Sequence, residues 1–308
     1  LPPSPTTVAG MARVCVVGSV NMDLTFGVDA LPRPGETVLA SSSSHGPGGK
    51  GGNQAVAAAR AGARVQFVGA LGEDAAAGQL RAHLRANGVG LDGTVAVPGP
   101  SGTAIIVVDA GAENTIVVSP GANGRLSPTD DAVRAVIADC DVLLTQLEIP
   151  VPAALAAARQ ARSAGAVVLV NASPAGRRDG ALAELAALAD VVIANEDEER
   201  QWRWRPSHLV TTLGPHGARY AGADGEFTVP APAVDAVDTT GAGDVFAGVL
   251  AATWPPGPGA DPAHKAQRLH ALRRACAAGA LATLVAGAGD CAPGADAIDA
   301  ALREGGSS

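Results

Sequence analysis

Aromatic side chains are scarce. They make up 3% of the 308 residues, and the formal net charge is −8. A nucleic-acid binder wants a basic surface and often stacking aromatics, so that class is set aside. Cysteine is rare as well: Cys15, Cys140, Cys276 and Cys291 lie far apart, and none forms a CxxC pair. That excludes a metal knuckle and fits reduced thiols in a cytoplasmic protein. Charged residues are 17% against 47% hydrophobic, which is the balance of a globular chain and not of a disordered one. No apolar run approaches the roughly 20 residues of a membrane span, so no membrane partner is expected. The first ten residues, LPPSPTTVAG, carry neither a basic n-region nor a long apolar h-region and do not read as a signal peptide. Residues 1–12 are taken as a tail or cloning remnant, and 13–308 as one domain with length for a substantial core.

What the chain does have is alternation. RVCVVGS (13–19) reads as a buried strand ended by glycine, and RVQFVGALGED (64–74) as another running into a loop. Segments 21–28 and 36–44 alternate like half-exposed strands, and 103–121 reads as a hairpin about Gly-Ala-Glu-Asn. A helix is expected over Asn53 to Ala61. From Pro128 onward helices of 10–15 residues alternate with the strands DVLLTQ, AVVLVNAS and DVVIAN. That rhythm predicts βαβ units and a mostly parallel sheet. A strand HLVTTLG, a loop AVDTTGAG, a helix over 244–254, a surface loop over 255–262 and two final helices follow. The expected architecture is a three-layer α/β core with a small β layer built from 21–28, 36–44 and 103–118.

Glycine clusters raise the functional question. GPGGKG (46–51) formally matches G-x-G-x-x-G, but a Ser-rich segment precedes it, and Val68, Gly69 and Ala70 stand where a dinucleotide site needs an acid. A P-loop needs Gly-Lys-Ser/Thr, and Lys50 is followed by Gly51. DTTGAGD (238–244) opens a helix, and a helix start with exposed N–H groups is an anion site. Asp244 is then either a first-turn acid that steadies the helix or a proton acceptor beside a phosphoryl cradle. NEDE (195–198) reads as a solvated helix start and TLGPHG (212–217) as a turn, yet both close predicted strands, where open α/β sheets place ligands. Asn21, Asp23 and Glu148 fall at the same level.

Taken together, GSVNMD (18–23), PGETV (34–38), GGKGGNQA (48–55), TQLEIP (145–150), NEDE, TLGPHG and DTTGAGD resemble the ribokinase branch of the PfkB carbohydrate kinases, in that family's order, over about residues 13–303. The resemblance implies a sugar held between the α/β core and a β-sheet lid. Asn21, Asp23, Gly49, Lys50, Asn53 and Glu148 match sugar-contacting positions, and such groups bind hydroxyls directionally. Asp244 matches the catalytic base, with the N–H groups of Gly241, Ala242 and Gly243 as the anion hole; phosphoryl transfer is mostly positioning and charge stabilisation. Asn195 and Glu198 match an N-x-x-E element that organises Mg²⁺ and phosphate through waters. Thr212, Gly214 and Gly217 match the nucleotide-binding turn, along with Gly243. Asp238, Thr240, Val285, Gly287 and Cys291 match a loop holding K⁺ or another monovalent cation, although Cys291 stands where the family often has serine and Asp238 has a competing reading as a loop cap. The implied ligands are D-ribose and ATP, the implied assembly is a homodimer through the lid, and the implied place is the cytoplasm.

The resemblance also shows a gap. The family has room for another helix between NEDE and TLGPHG, whereas here only Glu199–Thr211 is available. Either Trp202 and Trp204 cover the apolar surface this would bare, or the segment is damaged and ATP affinity suffers. The implied reaction is transfer to O5 of ribose. Deoxyribose, a ketohexose or a nucleoside are alternative acceptors, and a sugar binder without turnover is the reading from another class.

Overall fold

The structure is a computed structural model that describes residues 11–111, 113–176, 180–255 and 262–305. Positions 1–10 of the expected tail and 256–261 of the expected loop lie outside the described residues.

Short Val/Leu runs buried on both faces form the large sheet, as parallel strands under helices require. Seven strands run parallel: β1 (Arg13–Val17), β4 (Arg64–Leu71), β5 (Gly90–Ala96), β8 (Val142–Thr145), β9 (Val167–Asn171), β10 (Val191–Asn195) and β11 (His208–Thr212). β12 (Ala218–Gly222) and β13 (Gly225–Val229) add an antiparallel hairpin at one edge, in the order β13-β12-β11-β10-β9-β8-β1-β4-β5. α1 (Lys50–Arg60), α2 (Ala75–Ala86), α7 (Ala242–Thr253), α8 (Pro262–Ala282) and α9 (Ala295–Gly305) pack one face, and α3 (Asp131–Ala138), α4 (Val151–Ser163) and α5 (Gly180–Leu188) the other. The three layers expected from the sequence are there, and α2 and β5 lie in a stretch the sequence reading passed over.

The small sheet is separate. β2 (Asn21–Gly27), β3 (Ser42–Gly48), β6 (Gly102–Val108) and β7 (Asn114–Ser119) lie in the order β3-β2-β6-β7, with β2 and β6 parallel and the outer pairs antiparallel. The expected strand at 36–44 is displaced to 42–48. Pairing runs from Gly27↔Ser42 to Asn21↔Gly48, so the first half of the glycine cluster is strand. A Cβ on Gly48 would collide with the Asp23 carboxylate, and only glycine lets β3 lie there. The second half of the cluster is helix. α1 starts at Lys50, not Asn53, behind an N-cap Gly49 at φ 86°. A Cβ on Gly51 would stand 2.7 Å from both the N and O of Ser19, so these glycines buy close approach of helix to backbone.

The crossover from β10 to β11 contains only α6 (Glu196–Gln201), too short to cover the sheet beyond β10. Two devices replace a helix there. Trp202 and Trp204 meet edge to face, centroids 5.1 Å apart, and pack onto the apolar cluster of that face. Beside them Glu199 accepts from the Thr211 hydroxyl (2.8 Å) and from Arg219 Nη2 at 2.7 and 2.6 Å. The tryptophans thus pack on that face, yet a cavity of about 480 Å³ stays open between them and Leu147, Ala172 and Leu182, and Trp202 Nε1 is buried with no hydrogen-bond partner among the described residues.

Candidate active site

The carboxyl ends of β8 to β11 and the N-termini of α1 and α7 meet at one edge of the sheet. A cavity of about 150 Å³ opens there, lined by Lys50, Asn195, Glu198, Thr212, Gly241, Gly243 and Asp244, among others. The glycine cluster and the DTTGAGD loop thus converge, as their chemistry requires. Gly214 and Gly217 do not line this cavity. Gly214 opens the turn Gly214–His216 and Gly217 closes it, at φ 57° and 94°, and a Cβ on Gly217 would stand 2.7 Å from Ala231 N.

Asp244 is 8% exposed in the first turn of α7. Its Oδ2 accepts from Asn53 Nδ2 (3.1 Å) and its Oδ1 from Gln54 Nε2 (2.9 Å). Gly241 caps α7 in the left-handed region at φ 81°, where a side chain would be strained and a Cβ would press on Ala288. First-turn N–H groups such as those of Gly243 and Asp244 have no acceptor within their helix. The Ala242 N–H behaves differently from the expectation: it turns back to the Thr239 carbonyl at 3.3 Å.

Glu148 joins Ser19 to the start of α1. Its Oε2 accepts from Ser19 Oγ (2.5 Å) and from the Lys50 N–H (3.2 Å). Asn21 is 3% exposed, and its Oδ1 accepts from Asn123 Nδ2 at 2.8 Å, which leaves its amide nitrogen to donate. Asp23 Oδ1 is buried and has no hydrogen-bond partner among the described residues. Burial, with the charges of Glu148 and Asp244, pushes the Asp23 carboxyl up to about 7. Lys50 feels the opposite balance: burial would lower it, but Asp244, Glu148 and Glu198 outweigh that and raise its pKa. One ammonium among four carboxylates leaves the site acidic, so a polyphosphate is best received with a cation attached.

Asn195 and Glu198 form a reciprocal capping box on α6. Glu198 N–H donates to Asn195 Oδ1 (2.8 Å) and Asn195 N–H to Glu198 Oε2 (2.9 Å). Glu198 is 9% exposed and lines the cavity. No three metal-ligating side chains cluster among the described residues. That donor set fits Mg²⁺ held chiefly by phosphates and water.

The DTTGAGD loop is tied to residues 283–291. Asp238 Oδ1 accepts from Thr240 N–H and Oδ2 from Gly287 N–H, both at 2.8 Å. Burial would raise the Asp238 carboxyl, but these bonds overcome it and lower it. Cys291 Sγ faces the Ala288 carbonyl at 3.3 Å and the Thr240 carbonyl at 3.9 Å. Asp238 therefore ties the two loops to each other, accepting from one N–H of each.

Sequence reasoning missed Ser19, Gln54, Asn123, Gln146 and Asn171. The signal was visible for three of them, because Gln54, Gln146 and Asn171 are amides standing in or ending otherwise apolar runs.

Residues 11–295 match the pfkB family of carbohydrate kinases. The chain is 38% identical over 249 residues to a ribokinase of Bacillus subtilis, covering 77% of this chain and 83% of that one. A bifunctional ribokinase/ribose-5-phosphate isomerase A of Fructilactobacillus sanfranciscensis is 36% identical over 264 residues, 78% of this chain, which spans about half (48%) of that longer protein. A deoxyribokinase of Salmonella typhi is 33% identical over 263 residues, 77% of this chain and 84% of that one. The fold superposes on an Arabidopsis thaliana ribokinase complexed with ribose and ATP at a TM-score of 0.83, with 28% identity, covering 95% and 99% of the two chains.

Proposed function

The chain belongs to the pfkB family of carbohydrate kinases and is an ATP-dependent sugar kinase; from that premise we propose that its acceptor is O5 of D-ribose and its product ribose 5-phosphate. The observation that carries this reading is Asp244: a buried carboxylate on an α-helix N-terminus, beside the sugar-side residues Asn53 and Lys50. In this reading Asp244 takes the proton of the attacking hydroxyl while Gly241 and Gly243 present N–H groups to the transferred phosphoryl. Asn21, Asp23, Gly49, Lys50, Asn53 and Glu148 hold the sugar, and the unpartnered Asp23 oxygen accepts one of its hydroxyls. Asn195, Thr212 and the Gly214–Gly217 turn hold the nucleotide. The small sheet acts as the lid of the single domain 13–308.

Glu198 would hold the water shell of Mg²⁺, and the ion would supply charge neutralisation on the phosphates. The paired loops 238–241 and 285–291 would hold K⁺. Activity in potassium above that in tetramethylammonium at equal ionic strength supports that site, and equal activity removes it. The exposed Ile116, Val117 and Val118 of the edge strand β7 support a homodimer through the lid, to be checked by analytical ultracentrifugation. No helix among the described residues is long and apolar enough to cross a membrane. We read the protein as cytoplasmic.

The likeness to a deoxyribokinase favours 2-deoxyribose as the second reading. ADP release with Mg·ATP against D-ribose, 2-deoxyribose, fructose and adenosine separates them. The highest kcat/KM with ribose supports the proposal; a higher value with 2-deoxyribose replaces it.

A further inference from the structure

Behind Asp244 lies a chain of three buried amides. Gln54 and Gln146 are fully buried, and Asn171 is 7% exposed. The chain has a direction. It starts at the Ile193 carbonyl, which can only accept, so Asn171 must turn Nδ2 to it (3.2 Å) and Oδ1 away. Gln54 then turns its nitrogen to Asn171 Oδ1 (3.1 Å), and its second N–H reaches Asp244 Oδ1 (2.9 Å). Its oxygen is left for Gln146 Nε2, at 2.7 Å. Both ends of the chain are acceptors that cannot donate, and they fix every amide between them. Room for it is reserved: a Cβ on Gly18 would collide with the Gln146 amide. Gln146 Oε1 is buried without a partner among the described residues, so this direction of the chain leaves one acceptor unsatisfied there.

We infer that Gln54, oriented by Asn171 and Gln146, is a positioning residue that fixes the Asp244 carboxylate for proton transfer. This rests on the reading of Asp244 as the base. A neutral amide is the right tool for it. It holds Oδ1 through a hydrogen bond and brings no second charge to the carboxylate. Asn53 holds Oδ2, so the carboxylate plane cannot turn, and its free lone pair keeps one direction toward the incoming hydroxyl.

The experiment measures kcat, the KM for ribose and the pH profile of kcat in the full chain, for Gln54→Met, Gln54→Glu, Gln146→Glu and the double variant Gln54→Met/Gln146→Glu, with Asp244→Ala as control and ribose binding by calorimetry as the check on folding. Gln54→Met is expected to lower kcat about ten- to a hundredfold, the span of one charge-assisted bond, with KM within about twofold. Gln54→Glu sets two carboxylates side by side and should move the acid limb of kcat upward by about one pH unit or more. Gln146→Glu does not touch Asp244. It opposes an acceptor to Gln54 Oε1, turns that amide over, and should reproduce the loss of kcat, while adding nothing in the Gln54→Met background. If Gln146→Glu does not fold, Gln146→Met should give a loss of a few-fold that vanishes in the same background. Additive effects, or losses confined to KM, overturn the inference. Asp244→Ala without turnover beside Gln54→Met at wild-type kcat also overturns it and leaves the base reading standing; turnover by Asp244→Ala brings down the base reading itself.

Discussion

A Cβ on Gly248 of α7 would lie 2.8 Å from the Cβ of Ala57 on α1. The two helices touch there without side chains between them, and the same point faces the Gln54 carbonyl and the Ala58 N–H. That approach is what lets Asn53 and Gln54 on one helix reach Asp244, one turn away on the other. Gly248→Ala is therefore expected to cost about 1–3 kcal/mol of stability by overpacking. It should also lower kcat on the order of a hundredfold, because α7 moves and Asp244 with it. Thermal melts and steady-state kinetics check both; a loss of stability with unchanged kcat refutes the coupling.

Asp23 predicts a pH effect whose sign is unusual for a carboxylate. Its pKa rises from 3.8 in the unfolded chain to about 7 in the folded one. The folded state then binds the proton more tightly, so stability falls as pH rises from about 4 through 7, and the penalty is complete above 7. Asp23→Asn should raise Tm at pH 8, by about 1–2 kcal/mol in stability, and give no gain at pH 4. Ribose affinity should fall in the same variant, measured by calorimetry.

Glu198 caps α6, and its proposed hold on Mg²⁺ can be separated from that by one substitution. Gln at this position still accepts the Asn195 N–H and keeps the capping box, whereas Ala removes it at a cost of about 1 kcal/mol. Glu198→Gln is expected to keep Tm and to raise half-saturating Mg²⁺ about tenfold. Titrations of activity with Mg²⁺ test this, and an unchanged requirement means the carboxylate only caps.

Trp204→Ala strips part of the cover beyond β10. It should destabilise by about 1–3 kcal/mol, since the ring is half-buried, and leave the KM for ribose unchanged. Denaturant melts beside kinetics decide this; an unaltered melt would mean the tryptophans are idle.

The large sheet was legible because its strands are unbroken apolar runs between helices with clear periodicity. DVVIAN and AVVLVNAS match β10 and β9 to within about two residues at each end. That Lys50 and the DTTGAGD loop line one cavity was legible because both glycine clusters close on helix starts at the sheet's carboxyl ends. Two things were hidden. Gly48 and Gly51 fell between the strand expected at 36–44 and the helix expected from Asn53, but they serve as strand and helix because backbone passes against Asp23 and Ser19, and such contacts leave no local signal. The amides behind Asp244 join residues far apart in the chain, as between Gln54 and Asp244, and pairing at that range is a property of the fold alone. The stretch 75–96 carried a fair signal, Asp74 as N-cap before Leu80 and Leu84, that periodicity could have found.

The most direct measurement is ADP release from Mg·ATP with D-ribose in the wild-type chain and in Asp244→Ala, with ribose binding followed by calorimetry in both. The account predicts ribose-dependent release in the wild type, a fall of about a thousandfold or more in the variant, and ribose binding retained in both. Turnover that survives in Asp244→Ala would contradict it.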